Sequence, residues 1–428
     1  HPVPRGVGRG HMAAADDGNS DREKFHRADG GAYDPSYGDK IKIFEDWLVA
    51  HGSKFPKLTM QKYDDEVRGV HASEEIAPEE IIVEVPLSCL ITVEMGKATD
   101  VGAAVLAANI ELDAPKHVFL MLFMLVDRKR EDSHFKPYYD ILPETLSNMP
   151  IFWNSEELAL LEGSYLLTQI EERNIAIETD YSAICGIYPD FANISTLEEF
   201  KWARMCVCSR NFGITVDNIR TSAMVPYADM LNHYRPRETK WTFDQSLRSF
   251  TITSIMHIST GAQVYDSYGQ KCNHRFLLNY GFSIENNRES DGFCPNEVPF
   301  RFTLDPADPI YEQKMKFWGM DGIRTKMVRV CVSDNDNFGF ALACLRIMMA
   351  TPEEFSLVTK HKFSVREIRY PISLRNERAA MAHWRSMIDA MLAAYPRTLA
   401  EDRQLLAGET LKPFSNDRHA IIQISGEK

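Results

Sequence analysis

Apolar residues near the start of the chain follow first a helical period and then the period of β-strands. Residues 41–49 predict a short amphipathic helix, which Gly52 can end. The apolar positions that share one face of this helix are Ile41, Phe44, Trp47 and Leu48. Residues 67–72 and 76–86 then predict a strand, a proline-containing turn and a β-branched strand, for which a plain hairpin is the simplest arrangement.

The middle of the chain, residues 96–218, has mainly helical patterning. Pro115 leads into the apolar run 118–126, which predicts a buried helix that begins at the proline. A Thr-x-x-Glu capping box at 196–199 predicts the start of a further helix, whose pattern ends near 209–212. This part of the chain is therefore expected to be a long helical segment between two strand-rich ones.

Strand patterning returns after the helical segment, together with two polar motifs. Short apolar runs at 250–252 and 263–265 predict strands, and Gly261 marks the turn between them. The motif Asp-x-x-Asn-His (229–233) precedes these strands, and Tyr-Gly (268–269) follows them. Because apolar sequence flanks both motifs, the pattern indicates one polar site at the ends of buried strands.

Beyond Asn287 the pattern changes again, first to acidic and proline-rich sequence and then to helices. Residues 338–349 are apolar, and residues 376–394 carry an apolar stripe at helical spacing. The stripe consists of Met381, Trp384, Ile388 and Met391. A stripe of methionine and aromatic residues is more often core than ligand site, and we interpret it as core.

The composition narrows the class of protein that these elements can form. The 428 residues predict two or three domains with a large core, and the hydrophobic (44%) and charged (25%) fractions are those of ordinary globular proteins. The net charge of −13 does not favour a nucleic-acid-binding surface. An acidic surface suits basic partners such as lysine-bearing protein segments, although acidity can also serve solubility alone.

The eight cysteines do not follow the spacing of a metal site or of a disulfide framework. No Cys-x-x-Cys pair occurs, and Cys206-Val207-Cys208 has no second half, so buried thiols are favoured over zinc ligands and no metal is expected. Few, unpatterned cysteines in a large chain indicate a reducing compartment, so we expect a cytoplasmic or nuclear protein, or one in both places. The longest apolar run, 118–126, is too short to span a bilayer.

The patterns divide the chain into three parts. Residues 1–37 lack an apolar period and predict a disordered tag or N-terminal arm. Residues 38–288 are expected to form one domain, interrupted by a helical insert at about 96–219. Residues 289–428 are expected to form a second, helical domain.

The two polar motifs and the segment Tyr280-Gly281-Phe282 together resemble the C-terminal half of a SET domain, the fold of many protein-lysine methyltransferases. A helical insert that ends in Ser-Arg-x-Phe, here 209–212, resembles the Rubisco large-subunit methyltransferase branch of that family. The resemblance implies an α+β fold, in which a knotted, β-rich SET fold is interrupted by a helical insert and followed by an all-α C-terminal substrate-binding domain. In the SET fold the Asn-His segment is threaded beside later chain, an exception to the usual rule of chain topology.

The resemblance also implies a cofactor and a set of site residues. The cofactor would be S-adenosylmethionine (AdoMet), and the methyl acceptor would be a lysine of a protein substrate. Tyr268 would be the catalytic residue, because its hydroxyl can orient the amine, and Phe212 and Tyr265 would contact the substrate. The residues expected to bind the cofactor are Glu80, Ile82, Arg210, Asp229, Asn232, His233, Tyr280 and Phe282.

One branch of the same class methylates a histidine of actin instead. That branch carries tryptophan before the Asp of Asp-x-x-Asn-His, and asparagine two places after the Arg of Ser-Arg-x-Phe. Here Ala228 and Phe212 stand at these positions, as in the lysine-directed members, so lysine is favoured and histidine is the alternative. We expect a protein partner, no nucleic acid, no membrane and a monomeric chain.

Two further alternatives are an inactive SET-fold binding module and a helical scaffold whose motifs are coincidental. The binding module is favoured by Val67, which stands where the family has the first glycine of a Gly-x-Gly cofactor turn, with only Gly69 retained. Arg210 could serve only as a cation at a helix C-terminus, and Tyr268 only as a strand-end aromatic with a satisfied hydroxyl.

Overall fold

The computed structural model of the chain describes residues 35–62, 68–319, 325–333, 335–361 and 363–428. Its strands are β1 (Leu58–Lys62), β2 (Arg68–Ala72), β3 (Ile81–Pro86), β4 (Ile91–Thr92), β5 (Asn211–Val216), β6 (Ile219–Met224), β7 (Asn232–His233), β8 (Thr239–Asp244), β9 (Ser249–Ser254), β10 (Gln263–Asp266), β11 (Glu297–Thr303) and β12 (Thr325–Cys331). Most strands therefore belong to two stretches, one on each side of a helical segment.

The helices fill the middle and the C-terminal part of the chain. They are α1 (Pro35–Ala50), α2 (Val93–Lys97), α3 (Asp100–Ala108), α4 (Pro115–Asp127), α5 (Lys136–Tyr139), α6 (Ser155–Ala159), α7 (Leu166–Ile187), α8 (Phe191–Ile194), α9 (Leu197–Arg210), α10 (Asn273–Tyr280), α11 (Tyr311–Trp318), α12 (Asn335–Met348), α13 (Pro352–Thr359), α14 (Leu374–Ala393), α15 (Leu399–Ala407) and α16 (Asn416–Glu427). None of these described helices combines the length and apolar character that a membrane span requires.

Local sequence signals explain where several of these helices begin and end. The apolar face predicted for 41–49 is buried in α1, and Gly52 follows it with a positive φ of 92°. Pro115 occupies the first turn of α4, where a missing N–H costs nothing. In α9 the Thr196 hydroxyl accepts the Glu199 N–H, and the Glu199 carboxylate accepts the Thr196 N–H, as the capping box predicts.

The sheet that positions the site has the strand order β1-β2-β10-β7. β7 runs parallel to β10, with Tyr265 opposite Asn232 and Asp266 opposite His233. β10 pairs on its other side with β2, so the Asn-His motif and the strand before Tyr268 are held side by side. Two further sheets, of order β3-β9-β8 and β4-β6-β5, complete the strand-rich part.

The strand pairing differs from the simplest arrangement predicted by local pattern. A plain hairpin of β2 and β3 is wrong, because β2 pairs with β1 and β10 while β3 pairs with β9. Likewise, β9 and β10 lie in different sheets although Gly261 turns the chain between them with a φ of 86°. Strand partners depend on burial far along the chain, which the local period does not encode.

The last helix of this segment, α9, ends at Arg210, within the predicted range 209–212, although the helical insert was assigned to about residue 219. β5 and β6 follow at once as a hairpin, whose two-residue turn is Asp217-Asn218. Both turn residues have positive φ, 50° and 66°, the conformation that a tight hairpin turn requires. Asp and Asn tolerate that conformation well, so this turn was a local signal that the helical interpretation overlooked.

The C-terminal part is mainly helical and also contains the antiparallel pair β11–β12, which an all-α description did not include. A hydrophobic core formed by these strands and α11 to α14 includes Phe302, Trp318, Leu345 and Trp384. The last helix, α16, instead packs on α15, on α10 and on α7 of the middle helical segment. The domain boundaries proposed at residues 37 and 288 stay a prediction.

Candidate active site

A cavity of about 120 Å³ lies where the end of α9, the turn before β7 and the end of β10 come together. Residues predicted for the site that line it are Arg210, Phe212, Asp229, Tyr268 and Tyr280. They come from four separate segments: the Ser-Arg-x-Phe end of α9, the Asp-x-x-Asn-His turn, the Tyr-Gly turn and the segment Tyr280-Gly281-Phe282. The tertiary structure therefore joins these motifs around one space.

Tyr268 is held at the cavity by contacts with the chain that precedes β10. Its backbone N–H donates to His233 Nδ1 at 2.9 Å, and its hydroxyl donates to the Leu231 carbonyl at 2.9 Å. The ring stacks between those of His233 and Tyr280, with centroids 5.2 and 4.8 Å away. Gly269 then turns the chain with a φ of 93°, a conformation that glycine adopts without strain. These contacts fix the phenol oxygen at one position.

Arg210 and Asp229 form a buried ion pair on the lining of the cavity. Arg210 Nη1 donates to Asp229 Oδ2 and to the Asp229 carbonyl, each at 3.2 Å, and the Tyr138 hydroxyl donates to Oδ2 at 2.6 Å. Burial is the largest single influence on Arg210 and lowers its pKa. The charge of the fully buried Asp229, together with Cys206, Tyr138 and the hydrogen bond to Asp229, raises the pKa by more in total, so the guanidinium stays charged.

This ion pair is not fully satisfied by the protein. Among the described residues, Arg210 Nε and Asp229 Oδ1 are buried and have no hydrogen-bond partner. A buried donor or acceptor left without a partner costs about 1–3 kcal/mol. The two atoms belong to residues that line the cavity, so a ligand with both an acceptor and a donor group could satisfy them.

Asp266 also lines the cavity, and the sequence analysis did not identify it. The residue is only 3% exposed, and its Oδ1 accepts the Ser267 N–H at 2.6 Å. Burial raises the pKa of Asp266 to about 6, although the Ser267 hydrogen bond and the charges of Arg237 and Lys271 lower it. The strand period of two, which places residues 266 and 268 on one face, was the signal that could have identified it.

The buried Asp266 carboxyl affects the titration of its neighbour. Burial, followed by the negative charge of Asp266, raises the pKa of the Tyr268 phenol above its ordinary value. Tyr268 therefore keeps its proton at neutral pH and acts there as a hydroxyl group. It is not available as a phenolate base.

One wall of the cavity is aromatic. The Phe212 ring meets Trp241 edge-on at 5.3 Å and Phe250 at 4.9 Å, and both Phe212 and Trp241 line the space. Trp241 was not predicted, because it comes from β8 and reaches Phe212 only through the packing of β5 and β8. The space around Tyr268 therefore has one apolar side.

Comparisons with known proteins agree with this geometry. Residues 305–428 match the family of Rubisco LSMT substrate-binding domains. The crystal structure of the SET domain of LSMT bound to lysine and AdoHcy gives a TM-score of 0.76 at 23% identity, covering 92% of this chain and 89% of that one. Rubisco LSMT bound to AdoMet gives a TM-score of 0.72 at 22% identity, covering 91% of this chain and 88% of that one. The chain therefore shares the fold of the LSMT SET-domain structures.

Curated proteins similar to this chain are named actin-histidine N-methyltransferases. The chain is 24% identical to the Xenopus tropicalis protein over 391 residues, covering 87% of this chain and 66% of that protein. It is 25% identical to the Gallus gallus protein over 399 residues, covering 89% of this chain and 65% of that protein. The chain thus spans just under two thirds of the length of these curated relatives.

The Asn-His motif lies beside the cavity and connects three strands. The Asn232 amide donates to the Arg68 carbonyl at 2.6 Å and to Gln263 Oε1 at 2.9 Å, so it bridges β7 to β2 and β10. His233 is 4% exposed and packs between the aromatic rings of Tyr268, Phe276 and Phe282. Neither motif residue nor Phe282 lines the 120 Å³ cavity, and their cofactor contacts stay a prediction.

Three other predicted residues lie away from this cavity. Tyr265 is 1% exposed and packs against Tyr234 with ring centroids 5.2 Å apart. Glu80 pairs with Lys57 at 2.8 Å, and Ile82 is buried in β3. None of Tyr265, Glu80 and Ile82 lines the cavity. Val67, which replaces a family glycine, lies outside the described residues.

A second, larger cavity of about 1000 Å³ lies next to α14 and β11. Its lining is mainly apolar and includes Phe300, Phe338, Trp384 and Ile388. Tyr268 and the Arg210–Asp229 pair are not part of it. The stripe interpreted as core is therefore only partly core, since Trp384 is 5% exposed whereas Ile388 is 39% exposed and faces this cavity.

Proposed function

We propose that the protein is an AdoMet-dependent protein methyltransferase that transfers methyl groups to a lysine side chain of a protein substrate. The observation that carries the proposal is the cavity that Tyr268 shares with the buried Arg210–Asp229 pair and with the aromatic wall at Phe212. The ion pair has unsatisfied atoms that a charged cofactor can bind. The fixed hydroxyl can orient an amine, and the wall provides an apolar surface beside it.

The residues at the cavity fit the amino-acid end of AdoMet, which carries a carboxylate and an ammonium group. Arg210 offers its unpaired Nε–H to the carboxylate, and Asp229 offers its unpaired Oδ1 to the ammonium. When bound, AdoMet supplies an electrophilic methyl group that a neutral amine can accept in one displacement step. Asn232, His233, Tyr280 and Phe282, with Glu80 and Ile82, are proposed to hold the rest of the cofactor.

Tyr268 is proposed to orient the acceptor nitrogen. Because its hydroxyl proton is donated to the Leu231 carbonyl, the lone pairs of the phenol oxygen remain available to accept an N–H of the incoming amine. Accepting that N–H fixes the direction of the nitrogen lone pair. Alignment of this kind is the main catalytic contribution that a protein can make to a one-step displacement.

The aromatic wall and the Asp266 carboxyl are proposed to affect the protonation and the entry of the acceptor lysine. Phe212 and Trp241 exclude water, and desolvation lowers the pKa of a lysine, which favours the neutral nucleophile. The Asp266 carboxyl gives the same cavity a negative charge above about pH 6, which attracts a cationic side chain on entry. A lysine ammonium benefits from that attraction at neutral pH, whereas a neutral imidazole gains little.

A histidine acceptor is the second candidate function, and the names of the curated relatives favour it. Against it stand Phe212 and Ala228, since an imidazole acceptor would gain from a polar partner such as the asparagine of the histidine-directed branch. Phe212 lines the cavity as an 8% exposed ring without polar atoms. We therefore propose lysine first and histidine second.

The partner is proposed to be a protein that docks partly on the C-terminal region, because residues 305–428 match a substrate-binding family. The apolar cavity lined by Phe300 and Trp384 lies mainly in that region and offers space for a protein segment. We further propose a monomeric protein that binds neither nucleic acid nor membrane directly and acts in the cytoplasm, the nucleus or both.

The proposal is tested by transfer of labelled methyl from AdoMet into a lysate of the source organism, followed by mass-spectrometric mapping of the modified residue. We expect label on lysine, and a loss of at least tenfold in transfer with Tyr268→Phe while AdoMet binding by calorimetry persists. Tyr265→Phe is the matched control, since it removes a buried hydroxyl of the same segment outside the cavity.

The other outcomes distinguish the alternatives. Label on histidine would mean that the wall at Phe212 does not decide the acceptor. AdoMet binding without transfer into any lysate protein would contradict the enzymatic proposal for this chain under these conditions. Absence of both binding and transfer would favour an inactive SET-fold binding module.

A further inference from the structure

A cluster of three metal-ligand side chains lies at the N-terminus of α10, apart from the cavity. Cys272 Sγ is 3.4 Å from His274 Nε2 and 3.9 Å from Glu297 Oε1, and His274 Nε2 is 3.9 Å from the same oxygen. Cys272 and His274 are 4% and 3% exposed, and the Glu297 side chain is 18% exposed. The three ligand atoms thus face one another across a largely buried point.

We propose that Cys272, His274 and Glu297 bind a divalent transition-metal ion of the zinc type. Thiolate, imidazole and carboxylate are the ligands of zinc sites, with bond lengths of about 2.0–2.3 Å. Tetrahedral bonds of those lengths separate the ligand atoms by about 3.4–3.6 Å. The cluster is within roughly half an ångström of that geometry, so small side-chain rotations would close it.

A hydrogen bond from outside the cluster gives His274 the tautomer that a metal needs. The Tyr165 hydroxyl lies 2.7 Å from His274 Nδ1 and donates its own proton to the Glu297 carbonyl at 2.8 Å. Its oxygen must therefore accept from His274, which puts the ring proton on Nδ1. The Nε2 lone pair then points toward the thiol and the carboxylate. Metal-binding histidines are commonly oriented by such a second hydrogen bond.

Arg329 places its positive charge next to two of the three proposed ligand atoms. Its Nη1 lies 3.1 Å from Glu297 Oε1 and 3.4 Å from His274 Nε2. The Arg329 side chain is 35% exposed, so the guanidinium can move toward solvent. A metal ion and Arg329 are therefore expected to compete for the same two ligands. Loss of Arg329 therefore distinguishes two cases. A metal site should bind its ion more tightly without the guanidinium, whereas a purely structural polar cluster should only lose a stabilising contact.

The cluster joins two parts of the molecule. Cys272 and His274 belong to the segment directly after Tyr268, whereas Glu297 begins β11 of the C-terminal sheet. None of the three lines the cavity of Tyr268. The ion would therefore act by holding α10 against β11, and its role is structural. This inference does not depend on the proposed methyltransferase activity.

The test uses the full chain, stripped with a chelator and then titrated with Zn²⁺ by calorimetry and with Co²⁺ by absorption spectroscopy. We expect one equivalent to bind, a thiolate-to-cobalt charge-transfer band, and a rise in the unfolding temperature. Cys272→Ser should abolish the band, and Tyr165→Phe should weaken zinc binding about 10- to 100-fold. Cys344→Ser, at a buried cysteine in the other core, is the matched control and should leave the band unchanged.

Arg329→Gln gives the result that decides between the two readings of the cluster. Removal of the competing guanidinium should tighten zinc binding at least fivefold if the ion and Arg329 share the ligands. No zinc or cobalt binding by either the wild-type chain or Arg329→Gln would overturn the proposal. Binding that persists unchanged in Cys272→Ser and in Glu297→Gln would overturn it as well, since the ion would then lie elsewhere.

Discussion

Two largely buried arginine–carboxylate pairs in this molecule use their atoms in different ways. In the C-terminal region, Arg346 donates through Nε and Nη2 to the two oxygens of Glu377 at 2.7 and 2.8 Å, and through Nη1 to the Ile368 carbonyl at 3.2 Å. At the cavity, the side-chain contacts of Arg210 with Asp229 all involve Nη1. The Arg346–Glu377 pair therefore uses all three guanidinium nitrogens, whereas the Arg210–Asp229 pair leaves Nε and Oδ1 without a hydrogen-bond partner.

The difference separates a structural ion pair from one prepared for a ligand. A bidentate pair with every nitrogen engaged gains the most from its geometry and has nothing left to offer. A buried pair that keeps a free donor and a free acceptor carries a cost in the ligand-free protein, which a ligand with complementary groups removes. Arg346 and Arg210 are alike in burial and charge. They differ in how many of their guanidinium nitrogens have a hydrogen-bond partner.

The largest effect is expected from breaking the complete pair. Arg346→Met leaves the Glu377 carboxylate without its partner, and loss of one member of a buried pair costs about 3–5 kcal/mol. The free energy of unfolding, measured by circular dichroism in urea, should fall by about this amount, while AdoMet affinity of the folded fraction stays unchanged. Arg385→Met, at an ion pair whose arginine side chain is 84% exposed, is the control and should change stability by less than about 0.5 kcal/mol.

A substitution in the Arg210–Asp229 pair should weaken AdoMet binding and change the free energy of unfolding only slightly. Arg210→Lys keeps the charge that faces Asp229 but removes the Nε donor, and a hydrogen bond to a charged group is worth about 1.5–3 kcal/mol. Calorimetry should therefore show AdoMet binding weakened about 10- to 100-fold. A loss of stability as large as that of Arg346→Met, with unchanged AdoMet affinity, would show that Arg210 is a structural residue.

The smallest effect concerns Asp266 and depends on pH. Its folded-state pKa is raised from 3.8 to about 6, so the folded protein holds a proton that the unfolded chain releases between these pH values. Stability contributed by this group is therefore present at pH 4 and is lost as the pH rises through 6. Asp266→Asn should be close to neutral in stability at pH 4 and stabilising by about 1–3 kcal/mol at pH 7.5.

The same Asp266→Asn protein should transfer methyl to lysine more slowly at pH 7.5, because the cavity loses its negative charge. Unfolding in urea at both pH values and the rate of methyl transfer would be measured on one preparation. A variant that is more stable and less active would mark Asp266 as a site residue. An equal stability change at pH 4 and pH 7.5 would contradict the role of its ionisation.

Local signals predicted a good part of this structure. The capping box of α9 and the proline of α4 act within one helical turn, so their effect does not depend on distant residues. The apolar stripe of α1 was also readable, because one helix face buries as a unit. The β5–β6 hairpin was missed although its Asp217-Asn218 turn is equally local. That miss came from assigning residues 212–219 to the helical insert although the helical pattern ends near 209–212.

The pairing of strands and the hydrogen bonding of polar atoms depend on residues far apart in the chain. β2 and β3 are neighbours in sequence yet join different sheets, because each finds its apolar partner far along the chain. Trp241 reaches the cavity through contact with Phe212, which no spacing in the sequence indicates. The cluster of Cys272 and His274 with Glu297 is likewise assembled across two regions.

By itself the sequence determined which chemical groups this protein possesses and the short segments that carry them: an arginine at a helix end, the Asp-x-x-Asn-His turn and the Tyr-Gly turn. The tertiary structure alone decided which atoms of those groups remain unpaired, how deeply Asp266 is buried, and which cysteine meets a histidine and a carboxylate. The reason is physical. Residue identity fixes donors, acceptors and charges locally, whereas burial and hydrogen-bond satisfaction depend on everything that packs around them.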